Sequence, residues 1–296
     1  MMAPQHVPVM TREVVALLRP ERGGLYVDCT VGLGGHARAL LEAGAERLIG
    51  LDRDPDALAV ARETLAPWSD RIELEHADYR DLPSVLTARG ITGCDGALAD
   101  LGVSSLQLDA ADRGFSFRRD EPLDMRMDRS QGPTLAQLLR DIDEGPLADA
   151  IFQFGEERFS RRIARGIVMA RARAPLETTG QLADVVRRAV PRKGYQRIDP
   201  ATRTFQALRI MVNRELEGLD AFLASAAERL LAGARLAVIS FHSLEDRIVK
   251  HGFRALERAG AALRIVTKRP LMPSEAEVEA NPRARSAKLR AIERLA

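Results

Sequence analysis

One short segment constrains the fold of this chain more than any other. It reads Asp28-Cys-Thr-Val-Gly32-Leu-Gly34-Gly35-His36 and follows an apolar run at 25–27. A second apolar run ends on Asp52, 20 residues after Gly32. Glycines let the backbone approach a ligand closely, a helix start offers unpaired N–H groups, and an acid at a strand tip can accept hydrogen bonds from a ribose diol. The segment therefore predicts a strand, a glycine turn and a helix that bind a nucleoside cofactor.

The residues leave the identity of that cofactor open. The spacing Gly32-x-Gly34-x-x-Ala37 also fits the dinucleotide fingerprint, so NAD is one alternative. Asp28 favours S-adenosylmethionine, because an acid before the glycines suits a cationic ligand and opposes a pyrophosphate. A turn that only joins a strand to a helix is the third alternative.

The pattern around this segment predicts a parallel sheet with helices on both faces. Apolar runs at 25–28, 47–52, 71–75 and 95–99 alternate with helical stretches. A buried strand at 235–240 and two antiparallel strands, near 262–267 and 286–292, are predicted to follow later. We predict one cofactor-binding domain from 1–106 and 205–296.

Between 107 and 204 the sequence shows no strand pattern, only a polar loop and several helical patterns. We therefore predict an all-helical insertion, residues 107–204, after the fourth strand. An apolar stripe from Phe205 to Leu223 predicts one long helix that returns the chain to the sheet. Placed at the end of parallel strands, such an insertion could recognise substrate or act as a lid.

Composition narrows the class of protein. A 46% hydrophobic content supports a true core. Cys29 and Cys94 offer neither a disulfide framework nor metal-ligand spacing, so we expect a reducing, cytoplasmic compartment and no metal. We find no signal pattern and no apolar run of membrane-spanning length. From Arg187 to Arg214 there are eight basic residues against one acid, Asp199, which is either a solvated face or a phosphate-binding one.

Two further segments carry candidate chemistry. The predicted fourth strand ends on Asp100, which should point into the crevice beside the glycine turn, although an acid that caps a turn is the alternative. After the strand at 235–240, Ser243 and Asp246 predict a helix cap. His242, just before that cap, should face the crevice.

Several motifs together resemble one known family, the bacterial 16S ribosomal RNA (cytosine-N4)-methyltransferases known as RsmH or MraW. The matching stretches run in order along nearly the whole chain and are highly specific as a set. They are His6-Val-Pro-Val9, Gly32-Leu-Gly-Gly-His36, Leu51-Asp-Arg-Asp54, Asp100-Leu-Gly-Val-Ser-Ser105, Arg113-Gly-Phe-Ser-Phe117, Pro122-Leu-Asp-Met-Arg-Met-Asp128, Gly155-Glu-Glu-Arg158, Pro200-Ala-Thr-Arg-Thr-Phe-Gln-Ala207, Ile239-Ser-Phe-His-Ser-Leu-Glu-Asp-Arg-Ile248 and Asn281-Pro-Arg-Ala-Arg-Ser286.

The resemblance implies a class I, Rossmann-like methyltransferase that uses S-adenosylmethionine. It also implies methylation of the N4 amine of a cytidine in the decoding centre, in the P-site region of 16S rRNA, with the small subunit as partner. The cofactor contacts of the family fall on Gly34, Gly35, His36, Asp52, Tyr79, Asp100 and Gln107. Two positions depart from the family: Tyr79 replaces Phe, which keeps an adenine-stacking ring, and Asp199 replaces His, so we assign Asp199 no function.

Roles for catalysis and substrate binding are predicted more broadly. Asp100 is the candidate catalytic residue, because it stands where DNA amino-methyltransferases carry a Pro-Pro-aromatic motif that this chain lacks. Phe115 and Phe117 either stack on a splayed base or anchor their loop to the core. The candidates for substrate contact are Ser104, Phe115, Phe117, Arg203, Arg209, Asn213 and His242. Gln206 lies, like Arg203, Arg209 and Asn213, beside the apolar stripe that begins at Phe205 and could also face the substrate.

Two rival classes stay open at this point. One is an NAD-dependent oxidoreductase, which a cofactor-binding test would separate. The other is an RNA-binding assembly factor that holds the cofactor without catalysis, which single-turnover methyl transfer to small subunits would separate.

Overall fold

The computed structural model describes residues 8–191, 199–260 and 262–296. The chain divides into two compact units: a sheet unit, residues 1–104 with 217–296, and a helical unit, residues 105–216. Among the described residues, no helix combines the length and apolar character needed to cross a bilayer.

The sheet unit contains seven strands in the order β3-β2-β1-β4-β5-β7-β6. The first five are parallel, and β7 runs antiparallel to both β5 and β6. The strands are β1 (Leu25–Asp28), β2 (Arg47–Asp52), β3 (Ile72–His76), β4 (Cys94–Asp100), β5 (Leu230–Ser240), β6 (Leu263–Ile265) and β7 (Lys288–Arg294). This order confirms the predicted Rossmann-like class and the antiparallel pair, and it places the switch point of the sheet between β1 and β4.

Thirteen α-helices lie in the described residues. In chain order they are α1 (Thr11–Leu18), α2 (Gly35–Glu42), α3 (Pro55–Thr64), α4 (Leu82–Ala88), α5 (Ser105–Asp109), α6 (Leu135–Asp141), α7 (Glu144–Gly155), α8 (Ser160–Arg171), α9 (Thr179–Ala189), α10 (Ala201–Asn213), α11 (Leu219–Glu228), α12 (Ser243–Arg258) and α13 (Glu275–Ala280).

Both faces of the sheet are covered, which explains why its strands read as nearly continuous apolar runs. One buried cluster joins the sheet to α4, α11 and α12. A second cluster joins the opposite face to α1, α2 and α3. The helical unit has its own core, which α6 to α10 share. Gly155 lets α7 and α10 pack closely, since a Cβ there would lie 2.6 Å from the carbonyl oxygen of Arg203.

The predicted long helix from Phe205 to Leu223 is wrong. Helix α10 ends at Asn213, and Arg214 adopts a left-handed φ of 51°. A new helix, α11, begins after Gly218, which has a φ of 69°. Both helices bury one apolar face, but in different cores, so the stripe continues in the sequence across the break.

The domain boundaries predicted at 106/107 and 204/205 differ from the limits of the units. The helical unit begins at Ser105 and ends at Leu216. The second boundary moves because Phe205 and Leu208 pack into the core of the helical unit, which retains the whole of α10.

Candidate functional site

The glycine turn after β1 is built from backbone hydrogen bonds and left-handed glycines. The Val31 N–H donates to the Leu51 carbonyl at 2.7 Å, and the Gly34 N–H donates to the Val31 carbonyl at 2.8 Å. Gly32 and Gly34 have φ values of 52° and 86°, a region that side chains disfavour. Gly34 caps α2 without a side-chain hydrogen bond, so the first turn of α2 presents its N–H groups at the switch point.

Asp52 connects this turn to the end of β2. One oxygen of its carboxylate accepts from the Gly32 N–H at 2.7 Å and the other accepts from the Asp54 N–H at 2.8 Å. Burial raises the pKa of Asp52 to about 6. Each oxygen retains a further lone pair, so the group is held in place and can still accept hydrogen bonds from a diol.

Asp28 is the most deeply buried acid of the crevice. Its side chain is 1% exposed. One oxygen accepts from the Thr30 N–H at 3.2 Å, while Oδ2 has no hydrogen-bond partner among the described residues. Burial raises the pKa of Asp28 to about 7, with His36 acting in the opposite direction. The turn therefore contains a carboxylate whose charge is poorly compensated by the protein.

Asp100 and His36 face one another across the switch point. Asp100 Oδ2 lies 3.6 Å from His36 Nε2, too far for a hydrogen bond. Asp100 Oδ1 and both ring nitrogens of His36 are buried without a partner among the described residues. The Asp100 N–H donates to the Thr30 hydroxyl at 2.6 Å. Thr30 was not predicted, although a hydroxyl two residues after a strand-end acid is a signal that could have found it.

These groups fit S-adenosylmethionine better than a dinucleotide. The unpartnered oxygens of Asp28 and Asp100 concentrate negative character where a ligand would meet the turn. A sulfonium or ammonium group would compensate that charge, whereas a pyrophosphate would be repelled by it. The orphaned carboxylate oxygens are thus the observation that favours a cationic nucleoside.

Tyr79, the predicted adenine-stacking residue, begins a single 3-10 turn after β3. It is 8% exposed, and its ring meets Phe222 edge-on, with centroids 4.8 Å apart. Asp78 just before it binds Arg80 at 2.7 Å and Arg53 at 3.4 Å. The ring is therefore held firmly, and its stacking role stays a prediction.

His242 caps α12, and the cap predicted at Ser243 and Asp246 is wrong. The Nδ1 of His242 accepts from the Glu245 N–H at 3.4 Å, and its Nε2 lies 3.0 Å from Glu245 Oε1. Glu245 in turn accepts from the Phe241 N–H at 2.8 Å. Asp246 instead binds Arg290 at 2.7 Å. The visible contacts of His242 are thus those of a helix cap.

Of the two loop aromatics of the helical unit, Phe117 packs against its core. Phe115 is 8% exposed. The ring of Phe117 meets Phe205 edge-on with centroids 4.7 Å apart, and the Arg187 guanidinium lies 5.6 Å from its centroid. These contacts favour anchoring of the loop over stacking on a base. Gln107 is also buried in this unit, in α5.

The polar residues predicted along α10 have structural contacts as well. Arg209 binds Glu215 through two hydrogen bonds of 3.0 and 2.9 Å. Asn213 accepts from the Met127 N–H and donates to the Met125 carbonyl, at 2.7 and 2.8 Å.

Two other polar residues of α10 contact α7 or the residue after it. Gln206 donates to the Phe154 carbonyl at 3.2 Å. Arg203, which is exposed, donates to the Glu156 carbonyl at 3.2 Å. Ser104 belongs to the sheet unit and is the last residue of its first segment, 1–104.

The basic cluster between Arg187 and Arg214 is not uniformly available to a ligand. Arg187 binds Asp199 at 2.9 Å and Asp184 at 3.2 Å. Asp199 also accepts from the Ala201 N–H at 2.8 Å, so it stabilises the start of α10. Arg188, the next residue, is exposed. Arg192, Lys193 and Arg197 lie outside the described residues.

Comparison with known proteins points to one family. The model of the MraW methylase family matches residues 3–295. A protein of Cyanothece sp. named "Ribosomal RNA small subunit methyltransferase H" is 53% identical over 291 residues, which cover 98% of this chain and 95% of that relative. A protein of the same name from Anaeromyxobacter sp. is 52% identical and covers 98% of each chain.

Proposed function

Since the chain belongs to the MraW methylase family, we propose that it methylates the N4 exocyclic amine of a cytidine in the decoding centre of 16S rRNA, in the P-site region. The substrate would be the small ribosomal subunit, and the reaction would take place in the cytoplasm without a metal. The single observation that carries this proposal is a family match over nearly the whole chain. The relatives that share its name, "Ribosomal RNA small subunit methyltransferase H", support the RNA class.

The crevice of the sheet unit would hold the methyl donor. S-adenosylmethionine, when bound, supplies a methyl group activated by its sulfonium. Asp52 would accept from the ribose hydroxyls, Tyr79 would contact the adenine, and the unpartnered oxygens of Asp28 and Asp100 would face positive charge. The full set proposed for cofactor contact is Gly34, Gly35, His36, Asp52, Tyr79, Asp100 and Gln107.

Asp100 would also act on the nucleophile. The N4 amine of cytosine is a poor nucleophile, because its lone pair is delocalised into the ring. A carboxylate that accepts one amine hydrogen would orient the lone pair and stabilise the positive charge that develops on nitrogen. Asp100 Oδ1, which has no partner among the described residues, is available for that hydrogen bond and for the proton released afterwards.

The helical unit would recognise the rRNA. Its core is independent of the sheet, and it carries the segment with eight basic residues against one acid. Among the predicted substrate residues, exposed Arg203 stays a direct candidate. Phe117, Arg209 and Asn213 would act by holding the shape of the unit, given their internal contacts.

The test is single-turnover methyl transfer to small subunits purified from cells that lack this protein. Nucleoside analysis of the product should show one new methyl group on N4 of a cytidine, confined to 16S rRNA. Binding of both subunit and cofactor without transfer would instead favour the non-catalytic assembly factor. Transfer to another base or atom would refute the cytidine assignment.

A further inference from the structure

A groove between α8 and α9 lies wholly within the helical unit. Its cavity volume is about 690 Å³. Arginines line it from both sides: Arg162 and Arg165 on α8, Arg173 just after α8, and Arg188 on α9. The lining between these arginines is mostly apolar. It includes Met169, which is 54% exposed.

Most of these arginines have no acidic partner. Arg162, Arg173 and Arg188 are exposed, and their side chains form no ion pair or hydrogen bond with the part of the chain that the structure describes. The undescribed segments cannot supply an acid, because 1–7, 192–198 and 261 contain no Asp or Glu. The one acid that lines the groove, Asp184, binds Arg187 at 3.2 Å. The groove is therefore strongly positive.

Helix stability does not explain this charge. Helix α8 contains four arginines and no acid, and Arg161 and Arg162 lie in its first turn. Positive charge at a helix N-terminus opposes the helix dipole, and like charges one turn apart, such as Arg161 and Arg165, repel. Both effects disfavour the helix, so the charge points to binding rather than to folding.

We propose that the α8–α9 groove binds the phosphate backbone of the rRNA substrate. This inference rests on the proposed function, because that function names the RNA. Guanidinium groups form paired hydrogen bonds with phosphate oxygens. Cations on two facing walls can contact successive phosphates, and the apolar lining around Met169 can pack against the sugars between them. The groove thus differs from the cluster at Arg187, whose charge is compensated within the protein.

The experiment compares two full-length double variants that lose equal charge. Arg162→Gln/Arg188→Gln removes one free cation from each wall. Arg140→Gln/Arg161→Gln is the control, because these exposed arginines belong to the same unit but do not line the groove. Affinity for purified small subunits and for protein-free 16S rRNA is measured over a range of salt concentrations. The groove variant should flatten the log–log salt slope by roughly 1.4–1.8, at 0.7–0.9 per lost phosphate contact. It should also raise the KM for small subunits about tenfold with kcat unchanged.

A second pair keeps the test independent of arginine loss. Met169→Glu places an acid in the groove at an exposed position, and Met169→Gln is its neutral match. Only Met169→Glu should weaken binding to RNA.

Equal RNA binding by the groove variants and their controls would overturn the groove proposal. So would a loss of affinity for the subunit but not for protein-free rRNA, which would indicate a ribosomal protein as the partner. Groove-dependent RNA binding by a wild-type protein that fails to methylate subunits would support the groove and refute the proposed function alone.

Discussion

The crevice of the sheet unit and the loop and helix ends of the helical unit differ in how their buried acids are paired. In the sheet unit, Asp28 and Asp100 each keep a buried carboxylate oxygen without a partner among the described residues. In the helical unit, Asp124 accepts two hydrogen bonds from the Arg126 guanidinium, at 2.7 and 2.9 Å. Arg209 and Glu215 form the same kind of pair.

This difference in pairing distinguishes buried groups that are available to a ligand from buried groups that stabilise the local structure. A buried polar atom without a hydrogen-bond partner lowers the stability of the folded protein. Such an atom is therefore expected where a bound ligand supplies the missing partner. A buried charge that is fully paired has no such need and stabilises one local conformation. The sheet unit therefore presents unmet negative charge inside its crevice, whereas Arg162, Arg173 and Arg188 of the helical unit carry their charge on an exposed groove.

The largest effect is expected at Asp100. Asp100→Asn keeps the shape of the side chain but removes the charge, so single-turnover methylation should slow by about 10²-fold or more. Cofactor affinity should change by less than about 1.4 kcal/mol, or tenfold. Calorimetry and quench-flow on the same preparation separate the two. If the variant binds cofactor a hundredfold worse but turns over normally at saturation, Asp100 is a binding residue and the proton acceptor lies elsewhere.

The next effect concerns Asp52. Asp52→Ala removes the carboxylate that holds the glycine turn and would accept from the ribose. Affinity for S-adenosylmethionine should fall by about 1.5–3 kcal/mol, as for hydrogen bonds to a charged group. NADH should not bind to either protein. Tight NADH binding to the wild type, with none of S-adenosylmethionine, would overturn the cofactor assignment.

A smaller effect, about tenfold per pH unit, is expected from Asp28. Burial raises its pKa to about 7, so the free protein carries a proton there at lower pH. A cationic ligand favours the ionised carboxylate, and binding must therefore release that proton. Between pH 5 and 7 the ionisation of Asp28 should by itself raise the cofactor affinity by up to about tenfold per pH unit, and this contribution should level off above pH 7.

The control for this pH dependence is the Asp28→Asn variant, which should bind S-adenosylmethionine more weakly than the wild type. The part of the pH dependence that it retains belongs to Asp52, whose pKa is about 6. A wild-type affinity that is constant over the range would show that Asp28 does not face the positive charge.

The smallest effects are expected at two neighbouring arginines, Arg187 and Arg188. Arg187→Gln breaks the ion pair with Asp199, so the free energy of unfolding should fall by about 0.5–1 kcal/mol, as for a partly exposed pair. Arg188→Gln should leave stability unchanged and reduce the salt slope of RNA binding by about 0.7–0.9. Urea denaturation and salt titration of both variants check this. Equal effects of the two changes on RNA binding would remove the distinction between paired and free cations.

The local sequence was sufficient for the cofactor half of the fold. The strand, glycine turn and helix around Asp28 involve neighbours in the chain, and the spacing to Asp52 reflects a single βαβ unit. Apolar periodicity also predicted that the insertion is helical, because each helix buries one face whatever it packs against. These features depend on short-range chemistry, which a single sequence displays directly.

Tertiary structure alone decided which charges were free. Arg187 and Arg188 are equivalent in the sequence, but only Arg187 reaches Asp199 across a connection between two helices. Periodicity could not reveal the break at Arg214, because the apolar stripe continues while the core that buries it changes. In the same way Phe117 became an anchor only when Phe205 was folded against it. Ion pairs and core contacts join residues that meet only when the chain is folded. The local sequence pattern therefore could not predict which side chains are held by structural contacts and which are available to a ligand.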